Sequence, residues 1–290
     1  MIILCLCCAV TLHAQEQQLF WFITNHKMGF KDKQGNTVIR PAYAYTESFS
    51  EGLACAGIGV NMENALYGFI DEKGEWIIKP QFNSPGTFSD GLANEMSNGY
   101  WGYIDKTGSW VIQPRFHLCY PFVNGYAEVN KNNKWGIIDK KGSFVVQPAY
   151  YDITNVYNGI LAVKSDLKSK WELIDLKGKK VSVHTFTKVK DFNAGMAPAR
   201  DDSDNYGFIN VKGEWLIKPK FTGAEPFSEG LAAVEIDNDN WGFIDKAGKL
   251  VIPATFSAAG RFKNGVALVE LATEYIYINK KGEEILRFSK

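Results

Sequence analysis

The feature that most constrains this chain is a five-residue pattern that recurs along its length. The pattern [W/Y]-G-[F/Y/I]-I-[D/N] places its second residue at Gly68, Gly102, Gly136, Gly207 and Gly242. Weaker copies are centred on Gly29, Glu172 and Ile276. The period is roughly 35 residues, which is typical of repeat architectures. We therefore expect eight units, each too small to bury a core alone and each stabilised by its neighbours.

Each copy has the same order of parts, as in GLAAVEI, a polar loop, WGFID, a short KAG turn and KLVIPATF. Short runs rich in Val, Ile, Trp and Phe, separated by Gly, Asn and Asp, are typical of strands. Each unit is predicted to be a three-stranded antiparallel meander. The connector that follows has apolar residues or Gly at every third position, as at Phe221, Ala224, Phe227 and Gly230. This spacing favours a 3₁₀ or polyproline-like segment, with a short fourth strand as the alternative.

Both faces of the central strand carry apolar groups, because Trp241 and Phe243 point to one side and Ile244 to the other. Each unit must then lie between two neighbours, as in a propeller or a stacked array. We predict an all-β, propeller-like tandem repeat, with an open β-solenoid or superhelical array as the alternative. Aromatic residues in the terminal copies, such as Phe20 and Tyr277, favour the closed ring.

The repeat has a family likeness. The Trp-Gly pattern, the [D/N]-x-x-G turn, the I-x-P-x-F exit and the F-x-x-G-[L/Y/I]-A re-entry together resemble the WG-repeat proteins. The resemblance covers residues 15–290 as one domain and implies a β-repeat fold, and it brings no catalytic residues. The fifth copy departs from the pattern, with Glu172 for the Gly and VSVHTF where a Pro would stand, and the eighth ends after its third strand.

Residues 1–14, MIILCLCCAVTLHA, are interpreted as a secretory signal peptide cleaved after Ala14, because the apolar run is too short to span a bilayer. A buried N-terminal strand is the alternative. Export to the periplasm, the outer surface or the medium follows from the first interpretation. Only Cys55 and Cys119 would then remain, and we predict buried free thiols. No other apolar run is long enough for a transmembrane helix.

The charge balance argues against nucleic acid as a partner. Lys and Arg number 32, as do Asp and Glu, so no basic field would attract phosphates. His26, His117 and His184 lie at non-equivalent positions, and no zinc spacing or nucleophile motif is present. We therefore predict no metal, no cofactor and no catalytic residue.

A row of acidic residues falls on one position of the repeat, at Asp71, Asp105, Asp139, Asp175 and Asp245. Five equivalent carboxylates could form a cation site. However, Asn210 and Asn279 stand at the same position and keep the hydrogen-bond acceptor without the charge. A hairpin turn closed by Gly needs that acceptor, so we interpret the row as turns.

The loops between the first and second predicted strands vary from copy to copy, as in KNNK, DLKSK, DDSDN and DNDN. Equivalent loops gather on one rim of a repeat array, which makes that rim the expected recognition surface. Asp201, Asp202 and Asp204 hint at calcium, but the loop lacks the Gly and Glu of an EF-hand. Solvated loop tips are the favoured interpretation.

Aromatic residues also recur just after the turn glycine. Trp76, Trp110, Phe144 and Trp215 are the candidate ligand-binding residues, as a track of rings for a glycan or a peptide. Thr37, Lys180, Leu250 and Glu284 fill the same position in other copies, so it is partly exposed. Packing against the core is the favoured interpretation. In contrast, we expect Trp101, Trp135 and Trp241 to be core anchors, each costing about 3–5 kcal/mol when replaced by Ala.

The sequence as a whole predicts an exported, non-enzymatic scaffold that binds a protein or a glycan of the cell envelope or its surroundings through the variable loops. One alternative is an enzyme resembling a glycoside hydrolase, with two carboxylates that meet only in the folded chain. Another is a purely structural spacer.

Overall fold

The computed structural model describes residues 18–61, 64–84, 86–182, 184–237 and 239–289. The predicted signal peptide, residues 1–14, lies outside the described residues. The described part of the chain forms strands, turns and bends, and it contains no helix, so none that could cross a bilayer. Its thirty strands pair into eight separate antiparallel sheets. The sheets follow one another around a ring as the blades of an eight-bladed β-propeller.

The first four blades are formed by the N-terminal half of the chain. Blade 1 contains β1 (Phe20–Thr24), β2 (Lys27–Lys31) and β3 (Thr37–Tyr43). Blade 2 contains β4 (Tyr45–Thr46), β5 (Ala54–Ile58), β6 (Leu66–Ile70) and β7 (Trp76–Phe82). Blade 3 contains β8 (Phe88–Ser89), β9 (Leu92–Ser97), β10 (Tyr100–Ile104) and β11 (Trp110–Phe116). Blade 4 contains β12 (Leu118–Cys119), β13 (Tyr126–Lys131), β14 (Lys134–Asp139) and β15 (Phe144–Tyr150).

The remaining four blades complete the ring. Blade 5 contains β16 (Asp152–Ile153), β17 (Ile160–Lys164) and β18 (Glu172–Asp175). Blade 6 contains β19 (Lys188–Val189), β20 (Ala197–Arg200), β21 (Tyr206–Ile209) and β22 (Trp215–Phe221). Blade 7 contains β23 (Gly223–Ala224), β24 (Ala232–Glu235), β25 (Trp241–Ile244) and β26 (Leu250–Phe256). Blade 8 contains β27 (Ala258–Ala259), β28 (Val266–Glu270), β29 (Glu274–Asn279) and β30 (Glu284–Ser289).

The predicted three-stranded meander is confirmed in seven blades, and blades 2 to 8 each add a two-residue strand on the inner edge of the sheet. The connector forms this strand and a tight hairpin, and not the 3₁₀ or polyproline-like segment that its spacing favoured. In blade 2 the hairpin joins Ser50 to Leu53 by two backbone hydrogen bonds of 2.8 and 3.1 Å. Glu51 and Gly52 between them have φ of 55° and 81°. Two successive left-handed residues match the twist of the flanking strands, which explains the glycine of F-x-x-G.

The pattern glycine lies where two strands approach closely. The pairing of β6 with β7 has shifts in register beside Gly68. A methyl group added at Gly68 would overlap the backbone oxygen of Ile78 and lie 2.8 Å from the nitrogen of Pro80. In blade 5, where Glu172 replaces the glycine, the fourth strand is reduced to isolated bridges. The pattern Gly and the Pro-containing strand are therefore the two partners of one close backbone contact.

The [D/N]-x-x-G segments are turns, as predicted. The Oδ1 atom of Asp71 accepts hydrogen bonds from the backbone nitrogens of Lys73 and Glu75, both at 2.9 Å. Asn210 accepts the same two bonds in blade 6, at 2.9 and 3.1 Å. The turn ends on Gly74, whose φ is 84°. Because the amide serves as well as the carboxylate, the acidic row is structural.

Neighbouring blades are held together by aromatic side chains. The residue that precedes each inner hairpin is an anchor that packs on the pattern aromatic of the preceding blade. Ring centroids lie 4.6 to 4.9 Å apart in the pairs Phe30–Phe49, Phe69–Phe88, Tyr103–Phe122, Phe208–Phe227 and Phe243–Phe262. Such tilted and edge-on pairs stabilise a core beyond the burial of their area.

Blade 1 closes the ring in a different way. Its sheet has no short inner strand, so no anchor of this kind faces blade 8 within the described residues. Phe20 takes that place: it is 3% exposed and its ring lies 4.8 Å from that of Tyr277 in blade 8. The position of Phe20 is occupied by a small residue in six other blades, namely Ala54, Ala93, Ala127, Ala197, Ala232 and Ala267. The larger side chain therefore fills the space of the missing anchor.

The two thiols are buried and free, as predicted. Burial raises the pKa of Cys119 to about 12 and raises that of Cys55 further. The three tryptophans predicted as core anchors, Trp101, Trp135 and Trp241, pack against the core but are only half-buried. They lie at the start of the central strand, next to the variable loop, so part of each ring reaches solvent.

Candidate functional site: the loop face and the central channel

The antiparallel topology gives the ring two different flat faces. The turn face carries the inner hairpins and the [D/N]-x-x-G turns. The loop face carries the connections between blades and the variable loops that precede the central strand of each blade. The described residues of these loops are 25–26, 59–61 and 64–65, 98–99, 132–133, 165–171, 201–205, 236–237 and 239–240, and 271–273. The gathering of the variable loops on one face, expected from the repeat, is thus explained by strand direction alone.

Exposed apolar side chains occur in and beside the variable loops of the loop face. Nine of the seventeen large apolar side chains that are exposed in the described part of the chain lie on the loop face, namely Ile23, Ile58, Val60, Leu66, Tyr100, Leu118, Tyr151, Leu167 and Ile236. Six others follow the [D/N]-x-x-G turns at the outer edge of their blades, namely Ile77, Val111, Val181, Leu216, Leu250 and Val251. Val60 and Leu167, both in variable loops, are the most exposed of the seventeen, at 90 and 67%, and exposed apolar surface marks candidate sites of interaction.

Charge on the loop face is separated into two sectors. The basic sector, in blades 4 and 5, contains Lys131, Lys134, Lys164, Lys168 and Lys170. The acidic sector, in blades 6 and 7, contains Asp201, Asp202, Asp204, Glu235, Asp237 and Asp239. The sectors meet at an exposed ion pair between Lys170 and Asp202, at 2.7 Å.

A central channel of about 560 Å³ opens along the axis of the ring. Tyr120, Thr154, Lys190 and Glu225 occupy equivalent positions in four successive blades and line it, and Arg261 of blade 8 completes the wall. Lys190 and Glu225 form an ion pair of 2.8 Å. Only a cavity on the axis can touch five successive blades.

Aromatic and acidic groups share one side of this channel. Tyr120 is 53% exposed and stacks on Trp135, with ring centroids 5.3 Å apart. Glu128 lies on the wall below it with Asp152 and Asp191. Burial raises the pKa of Glu128, and the carboxylates of Asp191 and Asp152 raise it further. The channel therefore holds a carboxyl group whose neutral form is favoured, beside two other acidic groups.

A second, larger cleft of about 870 Å³ lies where the ring closes. It is lined by residues 18–21 of blade 1, residues 48–52 of blade 2 and Lys263 of blade 8. Lys263 donates a hydrogen bond across it to the backbone oxygen of Phe49, at 3.1 Å. Among the described residues, no inner strand of blade 1 lines this cleft, whereas blades 2 to 8 each have one at the equivalent place.

One buried carboxyl group lies between blades 2 and 3. Glu95 is fully buried at a position that holds Ala56, Val129 or Val234 in other blades. Its two oxygens have no hydrogen-bond partner in the described structure. Burial raises the pKa of Glu95 to about 9, with a smaller contribution from Glu47. A lone Glu in a column of Val and Ala was the sequence signal for this site, and sequence reasoning missed it.

The four candidate ligand-binding aromatics are not brought together. Each lies at the first residue of the fourth strand of a different blade, is half-buried, and packs edge-on against an aromatic residue of the preceding blade. The ring centroids are 5.6 to 6.2 Å apart in the pairs Trp76–Tyr43, Trp110–Phe82, Phe144–Phe116 and Trp215–Phe186. This position is a contact between blades, and a ligand there remains a prediction.

Comparisons with known proteins agree with this architecture. The family described as WG containing repeat matches residues 28–59, 67–94, 101–135, 135–171, 206–238 and 241–272. No curated protein matches the chain significantly.

Three solved structures are similar in shape. A eukaryotic initiation factor is 11% identical over 96% of this chain and 85% of its own, with a TM-score of 0.59. AztD from Citrobacter koseri is 10% identical over 94% of both chains, with a TM-score of 0.52. BamB from Moraxella catarrhalis is 14% identical over 92% of this chain and 95% of its own, with a TM-score of 0.48. At such low identity the likeness to the first two concerns the fold alone.

Proposed function

This chain belongs to the WG containing repeat family, and on that premise we propose that it is an exported, non-enzymatic scaffold that binds a protein or a glycan through its loop face. The observation that carries the proposal is the exposure of apolar side chains in the variable loops. Val60 and Leu167 are 90 and 67% exposed there, the highest values among the large apolar side chains of the described residues. Water penalises exposed apolar area, and a partner bound at the loop face would cover it.

The different roles of the pattern residues and the loops within each repeat support the same proposal. The residues of the repeated pattern have structural roles. The Gly allows a close approach of two strands, the [D/N]-x-x-G segment forms a turn, and the anchors join neighbouring blades. Variation is confined to the loops of one face. Recognition residues carried by loops on a rigid scaffold are the usual arrangement for binding proteins.

Export is part of the proposal and rests on the apolar run in residues 1–14. In the cell envelope or outside the cell, the loop face would be accessible to surface proteins and glycans. Mass spectrometry of the N-terminus of protein recovered outside the cytoplasm tests this part, and a mature chain beginning at Gln15 is expected. Retention of residues 1–14 in a cytoplasmic protein would refute it.

Site-specific cross-linking tests the use of the loop face. A photoreactive amino acid would replace Leu167, which is 67% exposed on the loop face, and in a matched control Leu216, which is 53% exposed on the fourth strand of blade 6. Cross-linking in cells that produce the protein, together with a glycan array, should give products or binding that depend on the loop face. Equal yields from the two positions, with no glycan bound, would contradict the proposal.

A second candidate function is favoured by one observation in the channel. The pKa of Glu128 is raised by burial and by the neighbouring Asp191 and Asp152, all three line the channel, and a carboxyl group of raised pKa beside a second carboxyl group is the acid–base combination of glycoside hydrolysis. Hydrolysis of a panel of oligosaccharides, abolished by Glu128→Gln in a folded protein, would favour this candidate. Binding without turnover would favour the scaffold.

A further inference from the structure

The two charged sectors of the loop face are complementary to each other. The basic sector has five lysines, with Asp152, Asp166 and Glu172 as acidic residues beside them. The acidic sector has six carboxylates, with Lys188 and Arg200 as basic residues beside them. A second copy of the same face can pair with two adjacent sectors of opposite charge. In an isologous contact the basic sector of each copy lies against the acidic sector of the other, so the favourable contact occurs twice.

The eight-fold ring fixes how such a contact would be oriented. A two-fold axis that lies in the loop face and passes between blades 5 and 6 also passes between blades 1 and 2. Rotation about it places blade 4 on blade 7 and blade 5 on blade 6 of a second copy. Lys131 and Lys134 then face Asp237 and Asp239, and the same contact occurs again on the other side of the axis.

Shifting this axis by half a blade in either direction brings like charges together. One shift places blade 5 on blade 5, which opposes its lysines, and the other places blade 6 on blade 6, which opposes its aspartates. Like charges placed against each other disfavour those orientations. The charge pattern therefore selects one register.

The same rotation pairs blade 1 with blade 2, and both carry exposed apolar side chains there. Ile23 in blade 1 is 52% exposed, and Ile58, Val60 and Leu66 in blade 2 are 46, 90 and 44% exposed. The charges alone select this orientation, without reference to these apolar residues. Their position across the axis from the charged sectors is a second observation that favours the same contact.

The remaining pair, blade 3 with blade 8, brings no like charges together at the loop tips. The loop of blade 3 is Asn98 and Gly99, and that of blade 8 is Leu271, Ala272 and Thr273. All eight blades thus have an acceptable counterpart in this register.

We propose that the loop face binds a second copy of this chain face to face, as a two-fold symmetric dimer with the basic sector of each copy on the acidic sector of the other. The inference rests on the proposed use of the loop face for recognition, and it names one occupant. Charge complementarity sets the orientation, and the apolar residues of blades 1 and 2 supply desolvated contact.

Analytical ultracentrifugation over a range of protein concentrations and salt concentrations tests the dimer. We expect a dimer whose dissociation constant rises about tenfold between about 0.05 M and about 0.5 M NaCl, because exposed charge pairs are screened. Val60→Asp should weaken the dimer at both salt concentrations.

A charge exchange makes the test specific. Lys131→Glu with Lys134→Glu should prevent dimerisation, as should Asp237→Lys with Asp239→Lys in a separate protein. Mixing the two variants should restore a dimer, because both contacts then join opposite charges. Recovery on mixing also shows that each variant is folded. Lys140→Glu with Lys141→Glu is the matched control, since it makes the same change on the turn face of blade 4 and should leave the dimer intact.

A wild-type protein that stays monomeric, or a dimer that the loop-face exchange does not affect, would overturn the inference. Failure of the inference is distinguishable from failure of the proposed function. A monomer that still cross-links to another protein from Leu167, or still binds a glycan, keeps the loop face as a recognition surface and excludes only the second copy as its occupant.

Discussion

Replacing Glu95 with glutamine should stabilise the protein at neutral pH and remove part of its pH dependence. The pKa of Glu95 is raised to about 9 in the folded chain, from an ordinary value of 4.5. Below pH 4.5 the carboxyl group carries a proton in both the folded and the unfolded state, and the full stability is present. Above it, folding requires the uptake of a proton, and stability is lost progressively until the pH passes about 9.

The size of the effect follows from proton linkage. One bound proton changes the free energy of unfolding by about 1.4 kcal/mol per pH unit. Between the ordinary pKa and about pH 7.5 the loss is therefore about 4 kcal/mol at most. Glutamine has a similar shape and does not ionise, so Glu95→Gln should differ little from the wild type near pH 4.5 and should be more stable by up to this amount near pH 7.5.

Denaturant unfolding at several pH values, followed by tryptophan fluorescence, measures this difference. Glu128 also has a raised pKa, but it is present in both proteins and its contribution cancels. Glu75→Gln, at an exposed position of a turn, is the matched control and should leave the pH dependence unchanged. A difference between Glu95→Gln and the wild type that is constant with pH would refute the assignment of a buried, protonated Glu95.

Three further predictions concern the repeat itself. Gly68→Ala should destabilise the protein by about 1–3 kcal/mol in denaturant unfolding, because the added methyl group overlaps the backbone of Ile78; unchanged stability would contradict the close contact. Asp71→Asn should change stability by less than about 0.5 kcal/mol while Asp71→Ala costs about 1 kcal/mol, since the amide keeps both turn hydrogen bonds; equal losses would show that the charge matters. Phe20→Ala should cost about 3–5 kcal/mol, because it empties the contact with Tyr277 that closes the ring, and a small loss in thermal unfolding would show that the ring closes by other means.

Sequence reasoning succeeded where the chemistry is local. Strands, the Asp71 turn and the need for neighbours follow from alternating apolar residues, an acceptor followed by Gly, and apolar groups on both faces of one strand. The register shift beside Gly68 was not predicted, although a glycine repeated with a proline ten or more residues later was its signal. Both residues are explained by one contact that only the folded sheet shows.

The features that the sequence did not predict depend on how neighbouring blades are placed relative to one another. Trp101 was expected to be a core anchor, and its partial exposure reflects how far the loop face opens at the start of the central strand. Glu95 is unusual only when aligned with Val129 and Val234 in the structure. The two charged sectors are spread over residues 131–239, and they become neighbours on one face only because the ring is closed and every variable loop leaves its blade in the same direction.

The closure through Phe20 has a consequence for the order of the chain. Within residues 18–289 each described blade is folded from one segment of the chain, and no described strand is shared between the first blade and the last. Any blade could therefore begin the chain, provided that the space beside its predecessor is filled. A circular permutant that starts at blade 2 and joins blade 8 to blade 1 should fold to the same ring. For the same reason, gain or loss of a whole blade requires only a new residue in the place of Phe20, so rings of different size are accessible to this repeat by duplication.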